Sequence, residues 1–171
     1  KITPNGIPND SIAAQSALVR MDASAPPSEA TMQELIAENP ELISNHLSNL
    51  LLIAREYGVP DDHNKGGRWS VDHLFVTADA VPVLVEVKRA TDTRLRREVI
   101  GQIMDYAANG SVYWPPGGLR ADFERNCVAL DLDPETTLSE FIKDRDPDEF
   151  WRQVDANLEQ IPIILVHSLQ L

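Results

Sequence analysis

The stretch from Trp69 to Lys88, WSVDHLFVTADAVPVLVEVK, constrains this chain more than any other. Val71 to Val76 and Val81 to Val87 are rich in β-branched and apolar residues, the composition of strands. The four residues between them, Thr77-Ala78-Asp79-Ala80, are the natural turn, so the segment is predicted to be a β-hairpin. A hairpin centred on Asp79 pairs residues whose numbers total 158, which sets Asp72 opposite Glu86. Directly opposed residues have Cβ atoms roughly 4.5–5.5 Å apart. Lys88 is two residues beyond Glu86 and points to the same side. Two like charges face to face destabilise a sheet unless something cationic joins them. Lys88 supplies one positive charge, and a divalent metal would supply two more.

The chain has 171 residues, enough for one domain with a real core. No apolar run approaches the roughly 20 residues that span a bilayer, and no signal-peptide pattern opens the sequence. A cytoplasmic location without membrane contact is therefore expected. The single cysteine, Cys127, excludes an intrachain disulfide and a cysteine-built zinc site. The chain starts at Lys1 and ends in an apolar run at Leu171, as a piece of something longer would. The net charge of -12 argues against a protein that coats nucleic acid. Its distribution changes that reading. Residues 121–160 hold twelve acidic and four basic residues, whereas residues 61–100 hold seven of each. Five of the fifteen basic residues fall between Lys88 and Arg97, so a basic strip can lie beside the carboxylate pair. The same strip also reads as the solvated start of a helix.

Residues 1–28 are polar and broken by four prolines, so a flexible arm is expected, followed by a single domain over 29–171. Ser28 is placed to cap a helix from Glu29 to about Asn39, with Met32, Leu35 and Ile36 apolar and Glu29 on the same face as Ile36. Pro40 is predicted to open a further helical piece to about Ser48. Leu50 to Tyr57 is strand or buried helix; periodicity does not decide between them. GVPDDHNKGG reads as a loop. After the hairpin, Leu95, Val99, Ile103 and Tyr106 mark a helix from about Thr93 to Ala108, with Gln102 on the same side and Gly101 placed for close approach to the sheet. Ser111 to Trp114 is predicted as a strand. Residues 115–160 form an acidic helical insert of two pieces, one opened by a Thr137–Glu140 capping box and one by Asp146-Pro147. Ile161 to Val166 is a buried strand. The order gives an α/β fold with a mixed central sheet and flanking helices.

Asp72, then Glu86-Val87-Lys88, then Gln102 and Tyr106 four residues apart on the next helix, resemble the PD-(D/E)XK nuclease superfamily. The Gln-x-x-x-Tyr element is similar to that of RecB-type nuclease domains, and the wider stretch from Arg68 to Ala108 resembles uncharacterised bacterial members. The likeness covers about Glu29 to Trp114, and Val71 stands where the superfamily's eponymous proline would be. It implies an αβββαβ restriction-endonuclease-like core and a Mg²⁺- or Mn²⁺-dependent nuclease acting on nucleic acid, with DNA the expected form. Asp72, Glu86 and the Val87 carbonyl would hold the metal, with Glu29 reaching it through water. Lys88 would orient or help deprotonate the attacking water and steady the developing charge. Gln102 would position Lys88 or the phosphate, Tyr106 would support it, and Arg94, Arg96 and Arg97 would meet the phosphodiester backbone.

Each assignment has a plainer counterpart. A Glu-x-Lys on an exposed strand is a surface ion pair worth under about 1 kcal/mol. Leu84, Val85 and Val87 argue for a covered strand instead, where charges need partners. Gln102 and Tyr106 also suit a core pair, and Glu29 suits a helix N-terminus. His46, His63, His73 and His167 show no metal spacing, and His73 points to the sheet face opposite Asp72. The rival function is a catalytically silent module of the same fold that binds nucleic acid or a protein. A third reading completes the binding surface with a second protomer, as a homodimer, or with a C-terminal region beyond Leu171.

Overall fold

A computed structural model describes residues 28–44, 49–61, 64–88, 101, 104, 114–159 and 161–166. The N-terminal arm before Ser28, most of the helix expected at 93–108, and Ser111 to Tyr113 lie outside the described residues. The fold is mixed helix and sheet. Helix α1 (Glu29–Glu38) leads to strands β1 (Leu50–Asp61), β2 (Asn64–Thr77) and β3 (Pro82–Val87). Helices α2 (Gly118–Ala129), α3 (Pro134–Ile142) and α4 (Pro147–Ala156) follow, and β4 (Ile163–Val166) comes last. The strands form one sheet in the order β1-β2-β3-β4. The first three run antiparallel, and β4 joins β3 in parallel.

The hairpin has the predicted register. His73 pairs with Val85, Leu74 with Leu84, Phe75 with Val83 and Val76 with Pro82, each pair totalling 158. Ala80 closes the turn with φ 62°, and Thr77 N–H donates to the Val81 carbonyl at 2.9 Å. Alternation along β2 and β3 then sorts side chains between two cores. Leu74, Val76 and Leu84 pack with Phe123, Leu138, Phe150, Trp151 and Val154 of α2, α3 and α4. Phe75, Val83, Val85 and Val87 pack with Met32 and Ile36 of α1. A sheet covered on both faces explains why all six residues of β3 are buried. The helical layer also grips the hairpin tip. Arg145 Nη1 donates to the Ala78 carbonyl at 3.1 Å and Asn157 Nδ2 to the Ala80 carbonyl at 2.9 Å.

Several expectations change. The segment from Leu50 is a strand, and the described residues of GVPDDHNKGG are strand, not loop: β1 runs on to Asp61 and β2 starts at Asn64. Pro60 is tolerated there because β1 is an edge of the sheet. The helical piece at Pro40 is one 3₁₀ turn, Pro40–Leu42. Among the described residues three α-helices, not two, follow residue 115. Thr137–Glu140 is not a cap but lies inside α3, which Asp133 caps by accepting from Thr136 N–H, with Pro134 at the first position. Asp146 does cap α4, accepting from Glu149 N–H at 2.8 Å. Trp114 is buried but sits in a bend rather than a strand. Gly101 is helical and exposed, and a Cβ there would meet no atom within 4 Å among the described residues, so it provides no close approach to the sheet.

Candidate active site

Backbone pairing between β2 and β3 stops at His73–Val85. One residue further, side chains take over. Val87 N–H donates to Asp72 Oδ2 at 2.7 Å, and Asp72 N–H donates to Glu86 Oε2 at a longer 3.4 Å. The Asp72 carboxylate thus takes the place of the Val71 carbonyl that a continued ladder would have offered to Val87 N–H, and the strands part at this point. On its other edge β3 stays paired, with Glu86 opposite Leu165 and Lys88 N–H donating to the Val166 carbonyl at 2.8 Å. One edge of β3 is therefore held by β4, while along the other Asp72 of β2 and Glu86 of β3 meet.

Lys88 completes the cluster. Its Nζ lies 2.6 Å from Glu86 Oε1, with side-chain exposures of 18% for Lys88 and 8% for Glu86. A surface ion pair does not describe this contact, because both partners are largely out of water. Burial pushes the Glu86 carboxyl above its ordinary range; the Lys88 bond opposes that and the Asp72 charge adds to it. Burial alone would draw Lys88 down. Its bond to Glu86, with the charges of Glu86, Asp72 and Glu29, outweighs burial and holds it above the ordinary value. Lys88 is thus a firmly held ammonium, suited to meeting negative charge and unsuited to acting as a base while it bonds Glu86. Glu29, at the first turn of α1, belongs to the electrostatic neighbourhood of the cluster.

The structure therefore brings together Asp72, Glu86, Val87 and Lys88, with Glu29 close enough to act on Lys88. Gln102, Tyr106, Arg94, Arg96 and Arg97 lie outside the described residues. Among the described residues, no group of three His, Cys, Asp or Glu side chains is placed to hold a metal. Two carboxylates with a backbone carbonyl remain a donor set that suits Mg²⁺, which keeps several of its waters. By strand geometry the Val87 carbonyl leaves on the same edge as its N–H, toward Asp72.

The residue that the sequence left aside is His73. It is fully buried on the α1 face of β2, and its Nε2 lies 2.8 Å from the carbonyl oxygen of Gln33. A histidine at the alternate position between Val71 and Phe75, both apolar, was the available signal. Burial lowers its pKa from 6.5, against the opposing bond to Gln33. The neutral ring is thus favoured in the fold, so stability is present above the unfolded value of about 6.5 and is lost as pH falls below it. Melting temperature is expected to drop between about pH 7 and pH 5, before most carboxylates titrate. His73→Phe should flatten that part of the profile. An unchanged slope would remove His73 as its source.

No protein-family model, curated protein or solved structure matches this chain. Among the described residues no helix is long and apolar enough to cross a membrane.

Proposed function

We propose that this chain is a metal-dependent nuclease that hydrolyses phosphodiester bonds in nucleic acid, with DNA the expected substrate. The observation that carries the reading is the parting of β2 and β3 at Asp72 and Glu86, with Lys88 bonded into the gap. The order of α1, three antiparallel strands and a parallel fourth supports a restriction-endonuclease-like core. Asp72, Glu86 and the Val87 carbonyl would hold Mg²⁺ or Mn²⁺. The metal, when bound, supplies Lewis-acid charge to a phosphoryl oxygen and makes a bound water a stronger nucleophile. Lys88 contributes a fixed positive charge where negative charge develops, without reorganising as the reaction proceeds. Glu29 helps keep that charge in place. Gln102 and Tyr106 are proposed to position Lys88 or the phosphate from the helix after β3.

One observation favours the rival, a silent module of the same fold. Glu135, Glu140, Asp144, Asp146, Asp148 and Glu149 are all exposed on α3, α4 and their connection, and would repel DNA over that surface. Incubating the protein with single- and double-stranded DNA and RNA, with and without Mg²⁺ or Mn²⁺, decides between them. Metal-dependent cleavage supports the nuclease; binding without cleavage supports the module. Replacing Arg94, Arg96 and Arg97 together with alanine is expected to weaken nucleic-acid binding and flatten its salt dependence by up to roughly 3 in log–log slope. Mn²⁺ binding should be untouched. A triple variant that binds and cleaves like the parent would show that nucleic acid does not approach over the basic strip.

A further inference from the structure

Asp72 and His73 are consecutive, so they leave β2 on opposite faces. The carboxylate of Asp72 faces the parted strands, and the imidazole of His73 faces α1. The ring stacks on Phe75, with centroids 5.6 Å apart and planes 22° from parallel. A carbonyl oxygen only accepts, so His73 Nε2 carries the hydrogen and donates it to Gln33 O at 2.8 Å. Nδ1 is buried with no hydrogen-bond partner among the described residues. An apolar side chain of similar size would pack there without burying an unsatisfied nitrogen. What the imidazole adds is direction. Met32 and Ile36 hold α1 to the sheet by apolar contact, which resists separation but only weakly resists sliding or rotation. The bond from His73 fixes one carbonyl of the helix, and with it the height and rotation of α1 on the sheet. Gln33 is four residues after Glu29, so the two lie on one stripe of the helix.

We propose that His73 is a positioning residue: its bond to the Gln33 carbonyl sets α1 on the sheet so that Glu29 is presented to Lys88. One strand segment then aligns the site from both faces of the sheet. The role rests on the nuclease reading of that site, but the tie between β2 and α1 does not.

Two variants test it. His73→Phe keeps an aromatic ring and loses the donor; His73→Gln places an amide N–H at similar reach. At pH 8, where the imidazole is neutral in either state, hydrogen exchange of the α1 amides should quicken about tenfold or more in His73→Phe. Exchange in β2 and β3 should hold, and His73→Gln should restore α1. With Mg²⁺ and DNA, kcat should fall about 10- to 100-fold in His73→Phe with KM little changed, and His73→Gln should recover most of it. In a Glu29→Gln background His73→Phe should cost little more, because both changes remove the same contribution. Unchanged α1 exchange in His73→Phe overturns the tie. Quickened exchange with an unchanged kcat, or full additivity with Glu29→Gln, overturns the positioning role. A parent that cleaves nothing, with α1 still loosened in His73→Phe, overturns the nuclease reading and the catalytic part of the role while supporting the tie.

Discussion

Lys88→Ala is expected to lower metal-dependent cleavage by roughly 100- to 1000-fold, the cost of removing one preorganised charge from a developing transition state, while Mn²⁺ binding persists. The geometry explains both halves. Lys88 Nζ sits 2.6 Å from Glu86 Oε1 in a site largely closed to water, where a fixed charge is not dissipated. The carboxylates remain when it is gone. Their balance changes, however. Glu86 is already pushed up by burial, and Lys88 is the main influence holding it down. Without that cation, Glu86 should take up a proton more readily, so Mn²⁺ affinity in Lys88→Ala should fall more steeply on acidification than in the parent. Lys88→Arg is not expected to rescue cleavage. Its planar, bulkier guanidinium cannot occupy the same half-buried position as a compact ammonium. Full cleavage in either variant would reduce Lys88 to a partner of Glu86 with no part in the chemistry.

What could be read from the sequence is uneven, and the reasons are physical. The hairpin was legible because turn and strands agree: an apolar run on each side of Thr77–Ala80 admits one register that buries both faces, and a slip of one residue would turn Leu74 and Val76 away from α2–α4. That Asp72 and Glu86 come together followed from that register alone. Its detail did not, because nothing in the residue order says that the carboxylates cap each other's strands instead of merely facing across them. The first part of β1 was left open between strand and helix, and its end was hidden by Gly58 and Pro60, which signal a loop unless the strand is known to be an edge, a property of the assembled sheet. α3 starts before Thr137–Glu140 because Asp133 accepts from Thr136 N–H and Pro134 suits the first helical position, a signal that went unread in the sequence. His73 was passed over because a lone histidine carries no spacing to read. Its partner is a backbone carbonyl forty residues away.

Asp72→Asn is expected to weaken Mn²⁺ binding by more than about tenfold and yet leave the fold at least as stable as the parent. The carboxamide oxygen can still accept from Val87 N–H, the 2.7 Å bond that closes the end of the hairpin. The charge, however, is gone. A hard cation held by two carboxylates and its own waters depends on both negative charges, so losing one should weaken binding by more than about tenfold, or roughly 1.4 kcal/mol. Stability moves the other way. Asp72 is one of the influences raising Glu86, so its neutralisation should let Glu86 titrate nearer its ordinary range. Asp72→Ala separates the two roles of this side chain. It removes the same charge but also leaves the N–H of fully buried Val87 without its acceptor, a loss of about 1–3 kcal/mol. Charge alone predicts that the two variants behave alike; the bond to Val87 predicts that only alanine destabilises. Calorimetric titration with Mn²⁺ and thermal unfolding of both variants give the answer. Parent-like Mn²⁺ affinity in Asp72→Asn would remove Asp72 from the metal site. Equal stability of the asparagine and alanine variants would show that the strand end is held by other contacts, with β4 the first candidate, because it grips the opposite edge of β3 through Lys88 N–H and the Val166 carbonyl.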